Sequence, residues 1–238
     1  LFWVIGPEQE LALKQMFAVC EQLGIGKVSD YTHLPYGYVS VKGKGKMSSR
    51  EGNVLFIDDV VDQTKSRVLE RTQDGEVPQA DREKVAEQVA LAAVKYTMLR
   101  SGPRQDIAFD IESATDPEGD SGPYLQYTYV RTHSVLEKAK NTGLKPNTKK
   151  ASPEASDAER LLYRFPEVVE RAAKDYAPQY VVTYLTELAG SFNTFYAKEK
   201  IVDQDDEYSP YKLALAQAVG VVLKNGLWLL GIQAPERM

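Results

Sequence analysis

The sequence predicts a mainly α chain: a short α/β portion over residues 1–118, followed by an α-helical bundle over residues 119–238. Three observations predict this. Strand-like apolar runs are confined to the chain before Asp58. From Asp58 onward the apolar residues recur at helical spacing. Between two helical stretches lies Asp116-Pro117-Glu118-Gly119-Asp120, a run of turn formers that marks the main domain boundary.

The elements follow in order. Phe2 to Ile5 reads as a short buried strand, and Gly6-Pro7 opens a helix with proline at its first position. Leu13, Met16, Phe17 and Cys20 fall at helical spacing, and Gly24 and Gly26 end the helix. Tyr38 to Lys42 and Val54 to Ile57 read as the other two strands. Asp58 or Asp59 caps a helix carrying Val60, Val61, Thr64, Val68 and Leu69, broken by Gly75 and Pro78. Asp81 caps the next, with Val85, Val89, Ala92, Ala93, Tyr96 and Leu99 as its core face, ended by Ser101-Gly102-Pro103. A helix runs from Ser121-Gly122-Pro123 to about Lys140, and Asn141 to Asp157 reads as an exposed loop. Leu161 to Lys174 is helical with a break at Pro166. Pro178 opens the most strongly patterned helix, with Val181, Tyr184, Leu185, Leu188, Phe192 and Phe195 on one face. A last helix carries Leu213, Leu215, Ala216, Val219, Val222 and Leu223.

Composition narrows the function classes. Hydrophobic residues make up 43% of the 238 and charged residues 26%, so a sizeable core is expected. No apolar run approaches the roughly 20 residues that span a bilayer, so no membrane is expected. The chain opens on Leu1-Phe2-Trp3-Val4-Ile5 without a signal-peptide pattern or Met, and reads as cut from a longer protein. A single cysteine, Cys20, excludes an internal disulfide and a multi-cysteine zinc site, and a reducing, cytoplasmic setting is expected. A net charge of −5 speaks against a general nucleic-acid binder. Positive charge is nonetheless local: six Lys/Arg stand against one acid from Arg131 to Lys150, and Lys42, Lys44, Lys46 and Arg50 fall in an acid-free run. Such stripes suit a partner that touches one face, and they equally suit plain solvated surface.

Two constellations carry candidate chemistry. Gly45-Lys46-Met47-Ser48-Ser49-Arg50-Glu51-Gly52-Asn53 sets cations and hydroxyls between glycines, as a triphosphate-binding loop does. It lacks P-loop spacing, no G-x-G-x-x-G is present, and a surface hairpin has the same composition. Tyr124, Tyr127, Arg131 and Lys138 recur at i, i+3, i+7 and i+14, on one helix face. Tyrosine rings alternating with cations suit unstacked RNA bases; the spacing alone also fits a core stripe with hydroxyls at its rim.

The glycine-lysine loop resembles the KMSKS loop of class I aminoacyl-tRNA synthetases, in the form seen in arginyl-tRNA synthetases. Gly122-Pro123-Tyr124-Leu125-Gln126-Tyr127-Thr128-Tyr129-Val130-Arg131, preceded by Asp106-Ile107-Ala108-Phe109-Asp110, resembles a stretch diagnostic of that family. Phe165-Pro166-Glu167, Tyr184-Leu185-Thr186-Glu187-Leu188-Ala189, Phe192-Asn193-Thr194-Phe195-Tyr196 and Leu229-Leu230-Gly231-Ile232 follow the order of its DALR anticodon-binding domain. The resemblance implies a remnant of an α/β nucleotide-binding (Rossmann-like) catalytic domain followed by an anticodon-binding bundle.

It further implies Lys46 and Ser48 as catalytic residues. Met47, Ser49, His33 and Gly37 would join them around ATP, and Gln9 would bind the amino acid. Tyr124, Tyr127, Arg131, Lys138 and Met238 would meet the tRNA anticodon. The implied partners are tRNA(Arg), L-arginine and ATP with Mg2+, with no protein-bound metal and a monomeric chain. The sequence departs from the family at three places. Ser49 stands where the loop has its second lysine, Ala12 where a histidine follows the glutamine, and Lys212 where the Ala-Leu-Arg stretch has arginine. With only His33 and His133 present, the paired-histidine HIGH motif is missing. The expectation is therefore a C-terminal part of an arginine–tRNA ligase, inactive alone. The alternative is a non-catalytic RNA-binding or protein-interaction module derived from one.

Overall fold

The computed structural model describes residues 1–42, 56–71, 78–152 and 154–238. The loop residues Lys46, Met47, Ser48 and Ser49 therefore lie outside the described residues, as do Val54 and Leu55 of an expected strand. The chain divides into two compact units, one drawn from Leu1–Val54 with Ser101–Asp110, the other from Leu55–Arg100 with Ile111–Met238.

The first unit holds two parallel strand pairs and one long helix. Strand β1 (Phe2–Val4) leads through a 3-10 turn at Pro7–Gln9 into helix α1 (Glu10–Gln22). Strand β2 (Thr32–Leu34) pairs with β1, with Trp3 opposite His33. Leu13 and Phe17 are the buried positions of α1, and the Phe17 ring stacks on Tyr31 at 5.0 Å. The Phe2–Ile5 segment is a strand but not a buried one: Phe2 and Val4 are 53% and 60% exposed. Alternation sends these two side chains to one face of β1, and α1 buries neither.

Strand β3 (Val39–Val41) pairs in parallel with β4 (Ile107–Phe109), a strand too short for the apolar pattern to predict. Two aspartates clamp the pair. Asp106 accepts a hydrogen bond from the Tyr38 amide at 2.8 Å, and Asp110 pairs with Lys42 at 2.7 Å. Glu10, at the start of α1, pairs with Arg104 at 2.9 Å and Lys14 at 2.8 Å.

The second unit is all helical. Helix α2 (Ile57–Arg71) begins at Ile57, so the expected strand does not reach that residue. Asp58 and Asp59 lie inside the first turn rather than ahead of it, and the Phe56 amide donates to the Asp59 carboxylate at 3.3 Å, as the reverse arm of a capping box does. Val60, Thr64 and Val68 form the buried stripe of α2, which packs on helix α3 (Arg82–Leu99) through Ala86 and Val89. Arg67 and Arg71, one turn apart, both pair with Glu112 of the short helix α4 (Ile111–Ala114).

Helix α5 (Gly122–Thr142) is capped by Ser121, whose hydroxyl accepts from the Tyr124 amide at 3.1 Å. Its first residue touches α3 backbone to backbone: a Cβ on Gly122 would lie 2.2 Å from the Ala92 carbonyl oxygen. Helices α6 (Asp157–Leu162) and α7 (Phe165–Lys174) divide at the expected break, with Pro166 in the first turn of α7. Helices α8 (Gln179–Lys198) and α9 (Ser209–Leu229) complete the bundle. Leu125, Leu185, Leu188, Phe192, Leu213, Leu223 and Leu227 are fully buried at its centre. Their burial is the dominant stabilising term, about 1.5–3 kcal/mol for each such side chain.

The Glu10 tether gives a pH test. Hydrogen bonds from Arg104 and Lys14 hold its carboxyl at about 2, against an ordinary value of 4.5. A carboxylate held low contributes its stability above pH 4.5 and loses it as pH falls through about 2. Glu10 is expected to titrate near 2 by side-chain NMR, and Arg104→Ala to return the midpoint toward 4.5. A midpoint unmoved by Arg104→Ala would show that the pair does not set it.

Candidate functional site

The predicted residues of the first unit lie on or beside its strands, with no hydrogen bond joining Gln9, His33 and Gly37 among the described residues. Gln9 is exposed at the end of the 3-10 turn, just ahead of α1. His33 Nε2 lies 3.1 Å from the Ile5 carbonyl oxygen. Its Nδ1 is buried with no hydrogen-bond partner among the described residues, and so is Nε1 of Trp3, its neighbour across the sheet. Registered neighbours on parallel strands share a face, so two orphaned ring nitrogens stand on one side of this sheet. Gly37 is buried, and its amide donates to the Pro103 carbonyl at 2.8 Å. A Cβ there would lie 2.1 Å from the Gln105 carbonyl oxygen, so glycine is required by the close approach of the 103–105 backbone.

In the second unit, Tyr124, Tyr127 and Arg131 do occupy one face of α5, and α8 meets them. Tyr124 is half-buried against the bundle core, with Gly190 of α8 close to its hydroxyl. Tyr127 is 43% exposed. The Arg131 guanidinium lies between two rings, 4.8 Å from Tyr127 and 4.8 Å from Tyr196 of α8. It also donates to the Asn193 side-chain oxygen at 2.5 Å, and the Asn193 amide donates to Thr128 at 2.9 Å. These bonds orient the Asn193 amide, because each of its ends meets the complementary group. The result is a cation fixed edge and face, beside two partly open tyrosine rings.

Asn193 and Tyr196 are the members that sequence reasoning missed as site residues. They follow Phe192, whose apolar spacing drew attention to the core side of α8. The available signal was a polar and an aromatic residue three apart beside that stripe. Lys138 is exposed on the same face of α5, but 14 residues from Tyr124 is about 21 Å along the axis, so the two do not form one contact site. Met238 packs on Val68, Ala86 and Val89 of the α2–α3 pair.

Lys212, where the sequence departs from the DALR pattern, pairs with Glu199 at 2.5 Å and Asp206 at 2.9 Å and so ties down the segment between α8 and α9. A groove of about 1060 Å3 lies beside this segment, lined by both signs of charge, including Arg164, Glu187, Lys198 and Glu199. None of the predicted site residues lines it. No group of three or more His, Cys, Asp or Glu that could hold a metal ion occurs among the described residues. No described helix is long and apolar enough to cross a membrane.

Comparison with known proteins bears on both units. Residues 1–111 match the family described as tRNA synthetases class I (R), catalytic domain, and residues 125–238 match the DALR anticodon binding domain. That pair, in that order, is the architecture of a class I aminoacyl-tRNA synthetase. The chain is 35% identical over 237 residues to the arginine–tRNA ligase of Levilactobacillus brevis, and 38% identical over 241 to that of Streptococcus uberis. Each alignment covers 99% of this chain and 42% of the relative. The arginyl-tRNA synthetase of Thermus thermophilus superposes with a TM-score of 0.78 at 30% identity, over 100% of this chain and 41% of that one. The chain belongs to the arginyl-tRNA synthetase family and spans about two fifths of the length of the curated relatives it matches.

Asn193→Ala removes one charge-assisted hydrogen bond and leaves Thr128 without its donor. The expected cost is about 1.5–3 kcal/mol by urea unfolding. In a double-mutant cycle with Arg131→Met, the two losses are expected to fall short of additivity by about 1 kcal/mol or more. Additive losses would mean that Asn193 does not hold Arg131.

Proposed function

We propose that this chain supplies the ATP-closing loop and the anticodon-reading bundle of an arginine–tRNA ligase. The whole protein would activate L-arginine with ATP and transfer it to tRNA(Arg). The observation that carries the reading is the Tyr127–Arg131–Tyr196 stack, on the DALR-type bundle of a chain whose other unit matches the class I catalytic domain. The proposed division of labour falls at 118/119, with a cytoplasmic setting and a monomeric chain retained from the sequence reading.

On this reading the exposed ring of Tyr127 offers a stacking platform to an unpaired base. Arg131, already packed on two tyrosine rings, offers its remaining N–H groups to a base edge or phosphate. Holding the guanidinium in place before RNA arrives lowers the ordering cost of binding. Lys46 and Ser48 would face the triphosphate, where charge develops on the departing pyrophosphate, and a fixed cation there stabilises the transition state. ATP with Mg2+ supplies the activated phosphorus when bound. Met47, Ser49, His33 and Gly37 are proposed around the nucleotide, and Gln9 beside the amino acid. The orphaned Nδ1 of His33 supports a polar neighbour on that face of the sheet.

The isolated chain is expected to show no arginine-dependent pyrophosphate exchange, because with only His33 and His133 it holds no paired-histidine motif to complete the nucleotide site. In the full-length protein, Lys46→Ala is expected to slow adenylate formation by about 10²–10³-fold. An unchanged rate would take Lys46 out of the chemistry.

The chain is expected to bind an arginine tRNA weakly and with steep salt dependence. Tyr124→Ala with Tyr127→Ala is expected to lower that affinity by at least about fivefold, the loss of one stacked base at roughly 1–3 kcal/mol. Equal affinity would leave this face as core and favour a role without anticodon reading.

A further inference from the structure

We infer that Gln126 is a positioning residue that latches the C-terminal tail onto α3 and α5, and so fixes where Met238 sits. The inference rests on the proposal that Met238 and the α5 face read an anticodon.

Gln126 lies two residues from Tyr124, which turns it about 200° around α5, away from the proposed reading face. It is fully buried, an unusual place for a glutamine. Its side-chain amide donates to the Gln233 carbonyl at 2.7 Å and to the Gln88 carbonyl at 3.3 Å. Both partners are acceptors, so the amide must turn its nitrogen toward them. That orientation leaves Oε1 buried without a partner among the described residues. An apolar side chain of the same length would avoid the orphaned oxygen, but it would leave the Gln233 carbonyl unsatisfied instead.

The tail needs such partners. After α9 the chain from Gly231 is irregular, so its backbone groups have no helical ladder of their own. Lys95 of α3 donates to the Gly231 carbonyl, and the Gln88 side chain donates to the Gln233 side-chain oxygen at 2.6 Å. Two helices thus hold three points of one short segment, and Gln126 supplies the buried one. Met238 then falls on Val68, Ala86 and Val89. Ile232 and Ala234 also pack on the main core, so the Gln233 bonds add direction to a tail that apolar contacts already hold nearby.

The test uses the full 238-residue chain. Gln126→Met keeps length and apolar contact and removes both hydrogen bonds. Hydrogen exchange is expected to quicken by about tenfold or more at the Ile232 amide, which donates to Leu227, and at the non-proline amides of residues 233–238, with α5 and α8 unchanged. Affinity for an arginine tRNA is expected to fall by about tenfold. A chain shortened to Gly231 keeps Gln126 and is expected to lose the same factor, with Gln126→Met adding nothing further.

Unchanged tail exchange in Gln126→Met overturns the latch. Faster tail exchange with unchanged tRNA affinity overturns the positioning role, and so does full affinity in the shortened chain. Failure of the unsubstituted chain to bind arginine tRNA overturns the anticodon reading, and tail exchange alone then decides the latch.

Discussion

The bundle depends on the contact between Gly122 and the Ala92 carbonyl. There the backbones of α3 and α5 approach so closely that no side chain fits between them. Any other residue would push the two helices apart, and displacements of that kind commonly cost about 1–3 kcal/mol. The contact also sets the rotation of α5. With its first turn held against α3 and Ser121 capping its end, the faces that Tyr127, Gln126 and Leu125 present are fixed together. Leu125 goes to the core, Gln126 to the tail, and Tyr127 to solvent.

The three roles of one helix explain an odd feature of its composition. Few residues of α5 have a purely apolar task, yet Thr128, Thr132 and Gln126 are all buried. Each has a hydrogen-bond partner: Thr128 on Tyr124, Thr132 on Tyr129, and Gln126 on Gln88 and Gln233. The bonds of Thr128 and Thr132 stay within α5, whereas those of Gln126 reach α3 and the tail, so sliding α5 by one turn would orphan Gln126. The Arg131 stack follows the same logic at the surface, where the cation–π contacts contribute about 0.5–2 kcal/mol and the Asn193 bond selects the rotamer.

Much of the helical architecture was legible because it is local. The cap at Ser121, the place of Asp81 just ahead of α3, prolines in first turns and apolar spacing place most of the helices within a few residues of where they lie, although the Asp81 side chain makes no capping bond. The strands were less legible. β2 and β4 are three residues long, and each is created by pairing with a distant partner, Thr32 with Phe2 and Ile107 with Val39. No periodicity fits in three residues, so only tertiary pairing distinguishes them from loop. At Ile57 the apolar pattern was equally short, and there the bond from the Phe56 amide to Asp59 in the first turn goes with helix. For the candidate site, spacing along α5 brought Tyr124, Tyr127 and Arg131 to one face. It could not say that α8 would supply Tyr196 and Asn193, because helix pairing is written in no single segment. Nor could it separate Tyr124, which faces the core, from Tyr127, which does not.

The order in which the chain visits its two units has a practical bearing on grafting. Helices α2 and α3 fall in sequence between strands β3 and β4 of the first unit, yet they pack in the second. A chimaera that exchanged the bundle from Ile111 onward would bring a foreign α5 against the resident α3. Its glycine would meet a different helix, and its tail would find other residues in place of Gln88 and Lys95. A transferable cassette must carry residues 56–100 along with 111–238, and so must re-enter the host at three junctions. Family members that exchange the part from Ile111 onward alone are therefore expected to change both sides of the Gly122 contact together.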